Sequence, residues 1–240
     1  MRTFISAAII AAAGTATAQI DTSYTQNFEG YNQASATTLG DDGWLGFANV
    51  FLADGTTFAY NYGVFPTPNG TGAFSNVATG EGGPTQGAQQ LVVFNDYNNA
   101  DHGNGSNNRI EANVFREWNI AASDVGTTVT FSFDAKRGDI AGASTAAAFI
   151  KILDPNAGFA LTTFETVDTT AISTEWNRYS ASTTIQANQV GSIFQIGFLN
   201  VASNFDASGV FYDNIALVPT PAGAALLGLG GLVAGRRRRA

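Results

Sequence analysis

Residues Thr128–Gly138 read TVTFSFDAKRG. Val129, Phe131, Phe133 and Ala135 alternate with Thr130, Ser132, Asp134 and Lys136. Successive side chains of a strand point to opposite faces, so this alternation predicts a half-buried strand with one wet face. SIFQIGFLNV (Ser192–Val201) repeats it, with Phe194, Ile196 and Phe198 inward, and GVFYDNIALV (Gly209–Val218) is a third case.

Working outward, strands are predicted at Thr25–Tyr31, Trp44–Ala53, Gln89–Asp96, Asn108–Trp118, Ala147–Asp154, Ala160–Val167 and Trp176–Ile185. Turn signals separate them: Asp41-Asp42-Gly43, Asp54-Gly55, Asp154-Pro155-Asn156-Ala157-Gly158 and Ala207-Ser208-Gly209. Only Ile120–Val125 suits a short helical turn. Pro66–Pro84, rich in Gly, Thr, Pro and Asn, reads as a long surface excursion. Many short strands without a helical period predict an all-β chain, an antiparallel β-sandwich of jelly-roll-like form spanning 19–217.

The chain of 240 residues has no cysteine, which excludes disulfides and thiolate chemistry. Five of its 11 basic residues are Arg2 and Arg236–Arg239; without them six bases face 19 acids, a balance of −13. So acidic a body repels nucleic acid and suits neutral glycans, divalent cations or simple solubility.

The two ends read as addresses. Residues 1–18 carry Arg2, an apolar run from Phe4 to Ala13, and Ala16-Thr17-Ala18 before Gln19, the plan of a secretory signal peptide handed to the Sec export machinery. In 218–240, Pro219 and Pro221 are expected to stop the last strand. Ala222–Gly235 is uncharged and reaches about 21 Å as a short transmembrane helix. Arg236, Arg237, Arg238 and Arg239 then halt transfer on the cytoplasmic side.

This tail resembles the PEP-CTERM sorting signal of Gram-negative bacteria: Pro-x-Pro, a short apolar helix and an arginine cluster. The resemblance implies recognition at Pro219-Thr220-Pro221 by an exosortase-type membrane protease, then a cell-surface or extracellular location in a biofilm matrix. Thr220 stands where the family has Glu.

The body resembles jelly-roll carbohydrate-binding modules through NFEGY (Asn27–Tyr31), WNRYSASTTI (Trp176–Ile185) and VFYDNIAL (Val210–Leu217). That implies a structural Ca²⁺ held by Glu29 and Asp213 where the first and last strands meet. Calcium takes six to eight oxygens, so backbone carbonyls and Asn27 would join them.

His102, the one histidine, lies in an Asx- and Gly-rich loop, Asn95–Arg109. Asp96, Asp101, Asn104 and Ser106 surround it without a nucleophile elbow or an EF-hand order, and the loop reads as turns. For a sugar ligand the candidate rings are Tyr60, Tyr62 and Tyr97, with Trp118, and Tyr60 and Tyr62, two apart, would share one face of a strand; Trp44 and Trp176 are expected in the core. Three functions stay open: a non-catalytic surface or matrix protein binding exopolysaccharide, a glycan hydrolase using carboxylates such as Glu111 and Glu117, and a purely structural surface protein. If the ends are processed, mature surface protein begins at Gln19 and lacks Arg236–Arg239. Mass spectrometry of surface-extracted protein checks this, and an intact arginine terminus contradicts it.

Overall fold

The computed structural model describes residues 19–69, 74–95, 107–203 and 206–220. The signal-peptide residues, Tyr97, the His102 loop, Pro221, the apolar tail and Arg236–Arg239 lie outside the described residues. Among the described residues no helix is long and apolar enough to cross a membrane.

In chain order the strands are β1 (Thr25–Gln26), β2 (Leu45–Phe51), β3 (Phe58–Val64), β4 (Ser75–Thr79), β5 (Gln89–Val93), β6 (Arg109–Asn119), β7 (Thr128–Ile140), β8 (Thr145–Asp154), β9 (Ala160–Asp168), β10 (Asn177–Thr184), β11 (Ile193–Ser203) and β12 (Ser208–Thr220). They form two antiparallel six-stranded sheets. The first runs β10-β7-β12-β5-β4, with β1 also on β12; the second runs β3-β2-β6-β11-β8-β9. The molecule is a β-sandwich, and the first and last strands are neighbours.

The inner faces come from the alternation. Val129, Phe131, Phe133 and Ala135 of β7 are buried against Phe194, Ile196 and Phe198 of β11 and the even-numbered residues from Ala146 to Ile152 of β8. Phe198 is the centre of an aromatic cluster. Its ring stacks on Tyr212 at 3.6 Å and meets Phe133 at 5.5 Å, Phe131 at 5.7 Å and Trp44 at 6.2 Å. Such ring pairs add to the apolar area they remove from water.

A second anchor fastens the N-terminal segment. Asp42 Oδ2 accepts hydrogen bonds from Tyr24 Oη (2.8 Å), Gln26 Nε2 (2.9 Å), Tyr31 Oη (2.7 Å) and Trp44 Nε1 (3.2 Å), while Arg116 Nη1 donates to Oδ1 at 3.3 Å. The Arg116 guanidinium also lies 3.9 Å from the Tyr24 ring centre. Burial first, with the Asp42 charge adding to it, pushes the Tyr31 hydroxyl well above the ordinary phenol range. Asp42 therefore does more than the turn role its neighbours suggest.

Several expectations need correction. Pro66–Pro84 is not all surface: Phe74, Ser75 and Val77 are buried and β4 pairs with β5. The alternation of β4 spans only five residues, including the polar Asn76 and Thr79, and does not stand out from the flanking Gly and Pro. The first strand stops at Gln26, because Phe28 turns to φ +59° with its N–H on Gln26 Oε1. A four-residue helix, Thr38–Asp41, forms between β1 and β2 without a helical period in the sequence. Trp176 is half-buried rather than core: it precedes the sheet-edge strand β10, donates from Nε1 to the Glu81 carbonyl and lies under Lys136. Nor does Pro219 stop the last strand. It pairs with Val129 and β12 continues to Thr220. Leu217 N–H points away from β7 to Tyr24 O. By alternation the Pro219 nitrogen points the same way, beyond the end of β1, where no ladder bond is needed.

Phe198→Ala is expected to lower the unfolding free energy by about 3–5 kcal/mol, read as a shifted midpoint in urea denaturation.

Candidate functional site

Tyr212 points inward, so Asp213 points out from the first sheet beside Asp134 of β7, its register partner. Arg178 of β10 is the partner of Asp134 on the other side. One cross-strand row thus carries a cation and two carboxylates. Arg178 Nη1 binds Asp134 Oδ1 at 3.0 Å and Nη2 donates to Ser132 Oγ at 2.7 Å. Asp134 Oδ2 accepts from Gln86 Nε2 (2.7 Å) and Asn214 Nδ2 (2.8 Å).

Asp213 is less well served. Oδ1 accepts the Asn214 N–H, but Oδ2 is buried without a hydrogen-bond partner. Burial pushes its carboxyl up to about 7, the Asn214 N–H opposes this, and the charges of Asp134 and Glu29 reinforce it. The backbone breaks regular pairing here. A register shift falls between Asp213 and Ala216, and Asn214 sits at φ +47°. The shift turns Ile215 and Leu217 back into the core.

Glu29, in the segment after β1, is held by backbone N–H groups. Its Oε1 accepts the N–H groups of Ala88 (2.8 Å) and Gln89 (2.7 Å). Gly87, at φ +57°, is needed there, since a Cβ would collide with the Glu29 carboxylate. The charge of Glu29 reaches the Asp213 carboxyl. The orphaned Asp213 oxygen suits a hard cation. Among the described residues no three His, Cys, Asp or Glu side chains are grouped to hold a metal by themselves, so such an ion needs backbone oxygens as well.

Beside this cluster lies a groove of about 380 Å³ lined by Thr25, Gln26, Asn27, Arg178, Asn214, Ile215 and Ala216. Its floor is the β1–β12 pairing of Gln26 with Ile215 and Thr25 with Ala216. Hydroxyl, carboxamide and guanidinium groups dominate the lining.

The other predicted residues are placed elsewhere. Tyr60 and Tyr62 do share one face of β3, but it is the inward one, opposite Val50 and Ala48. Tyr62 packs edge-on against Phe74 at 5.9 Å, and Tyr60, 39% exposed, lies at the rim with its ring 6.2 Å from that of Tyr62. Trp118 is core. Glu111 and Glu117 share the outward face of β6, as their even spacing predicts. Six residues of strand separate them by about 20 Å, too far for the carboxylates of a glycosidase, ~5–9.5 Å apart. Arg178 and Asp134 were not singled out in the sequence; only their pairing across β10 and β7 reveals them.

No family model and no curated protein matches the chain. The solved structures similar to it are mostly carbohydrate-binding modules. One, a carbohydrate-binding module of the β-sandwich superfamily, is 14% identical with a TM-score of 0.40, covering 60% of this chain and 53% of its own. The enzymatically active domain of tailspike protein 4 of bacteriophage CBA120 is 17% identical with a TM-score of 0.41, over 61% of this chain and 18% of that one. A Stig cyclase of Fischerella sp. is 14% identical with a TM-score of 0.46, over 86% and 98%. This chain thus spans about half of that binding module and under a fifth of the tailspike domain. Likeness of this degree carries no ligand or activity over.

Because the folded Asp213 carboxyl titrates near 7 and the unfolded one near its ordinary value of 3.8, the folded state holds this proton more tightly. Its contribution to stability is full below about pH 4 and is lost as pH rises through 7. In chelator, the melting temperature should fall across that window for the wild type and change less for Asp213→Asn. Above pH 7, added Ca²⁺ should raise the wild-type melting temperature and leave Asp213→Asn unmoved.

Proposed function

We propose that this chain is an exported, non-catalytic surface or matrix protein whose sandwich, of jelly-roll type, grips exopolysaccharide. The observation that carries the binding reading is the polar groove on β1 and β12. Its hydroxyl, carboxamide and guanidinium groups match the donors and acceptors of sugar hydroxyls, and the carboxylates of Glu29 and Asp134 nearby are already engaged. Glu29 is held by two backbone amides, and Asp134 by Gln86, Asn214 and Arg178. A structural Ca²⁺ at Asp213 and Glu29 would neutralise the row beside the groove and hold the first and last strands together. The jelly-roll reading rests on chain direction: β5 to β6, β6 to β7, β7 to β8, β9 to β10, β10 to β11 and β11 to β12 each cross between sheets.

Export and exosortase sorting rest on the two ends of the sequence. Cleavage beyond Thr220 would leave the whole β12–β7 ladder intact, from Ser208 to Thr220.

Asn27 and Thr25 are exposed, so in chelator, where no calcium contributes, replacing both by Ala should keep the melting temperature. In affinity electrophoresis against the producing organism's exopolysaccharide, the double variant should lose binding by roughly tenfold, the scale of about 1.4 kcal/mol. Unchanged retardation overturns the groove; a loss confined to Tyr60→Ala would move the site to the β3 rim.

A further inference from the structure

The outward face of the second sheet is not an ordinary wet face. Phe47, Phe115, Phe149, Leu199 and Val201 are buried there as a cluster of their own, apart from the main core. Among them stands one lysine. Lys151 Nζ, from β8, donates to Asn113 Oδ1 of β6 at 2.8 Å, across the intervening strand β11. It lies 4.2 Å from the Phe149 ring centre and 5.3 Å from that of Phe164. Asn113 Nδ2 in turn donates to Glu111 Oε1 at 3.2 Å. An amine, a carboxamide and a carboxyl group are lined up in apolar surroundings.

The geometry points to a covalent cross-link: Lys151 Nζ and Asn113 Cγ join as an isopeptide bond, with Glu111 moving the proton. The carbonyl bond is about 1.23 Å long, so Asn113 Cγ is within about 4 Å of Nζ, close to attack distance. The register clears the path. Lys151 is opposite Gln195 and Asn113 opposite Leu199, so the diagonal between them passes over Gly197. A Cβ at Gly197 would come within 2.6 Å of Phe115 Cβ, so no side chain fits there.

The chemistry balances without an oxidant. Burial lowers the Lys151 ammonium below the ordinary lysine range, against the opposing pull of the Glu111 charge, so its neutral amine is more accessible than in water. The Nζ lone pair attacks Cγ and the Nζ–Cγ bond forms. Glu111 takes a proton from Nζ and returns it to Nδ2, the atom it already contacts. The Cγ–Nδ2 bond then breaks and ammonia leaves. From the charged lysine, the sum is ammonium side chain plus carboxamide giving secondary amide plus free ammonium ion. The link ties β6 to β8 over β11, closing a loop whose ends are 38 positions apart. It gives a chain with no cysteine a cross-link that reductants do not open.

The test is peptide mapping of the full-length protein, unfolded and digested with trypsin. The expected product is one branched species: Ile110–Arg116 joined to Gly138–Arg178, uncut after Lys151 and lighter than the two linear peptides together by one ammonia. Free Ile110–Arg116 with cleavage after Lys151 overturns the bond. Glu111→Gln should give those linear peptides while its circular dichroism spectrum matches the wild type. A branched yield undiminished in Glu111→Gln overturns the proton-carrying role of Glu111. Where that variant does not fold, Lys151→Arg provides the linear control.

Discussion

Phe198 lies flat on Tyr212, 3.6 Å between ring centres and 16° between planes. One ring belongs to β11 in the second sheet and the other to β12 in the first, so this contact joins the layers. The Tyr212 hydroxyl is also satisfied, by Thr169 Oγ1 at 3.1 Å. Once these residues point inward, the pleat sets what points outward. Beside Tyr212 that is Asp213, set against Asp134. Beside Phe198 it is Gly197 and Leu199, over which Lys151 reaches Asn113. Both polar constellations follow from one apolar contact between sheets, because a strand cannot turn one side chain in without turning its neighbours out.

The two outward faces solve different electrostatic problems. On the first sheet, Asp134 and Asp213 are direct cross-strand partners, an arrangement that like charges make unfavourable. Arg178 relieves one of them and is itself half-exposed, so the pair is partly screened by water. Asp213 remains with a buried oxygen and a carboxyl that holds its proton to about pH 7. On the second sheet the lone ammonium is flanked by rings and the Asn113 carboxamide, and Glu111 provides the nearby negative charge. The first arrangement suits a cation; the second makes an amine nucleophilic.

The edges show how backbone chemistry and sheet position interact. Pro219 is accommodated inside β12 because its nitrogen faces a side with no partner strand. Phe28, at positive φ, is a strained conformation for an aromatic residue. Its ring is buried against Tyr31 and Trp44, and the Asp42 hub fixes the segments on both sides of it. Packing overrides local preference there, as it does at Trp176, whose size favours the core but whose place at a sheet edge leaves one side open.

The sequence by itself determined the strand class, most strand positions, the inward residues of β7 and β11, and the pairing of Tyr60 with Tyr62 on one face. All of these are consequences of a two-residue period, which is local. It misjudged β4, whose five residues carry too little alternation to stand out from flanking Gly and Pro. Of the candidate site it named Glu29 and Asp213 by resemblance, but not Asp134, Arg178 or the groove. Asp42 gathers donors from Tyr24 to Arg116, and Lys151 meets Asn113 across 38 positions. Only the tertiary structure decided these, because they depend on strand order and register, and those are set by which rings pack between the sheets rather than by any pattern along the chain.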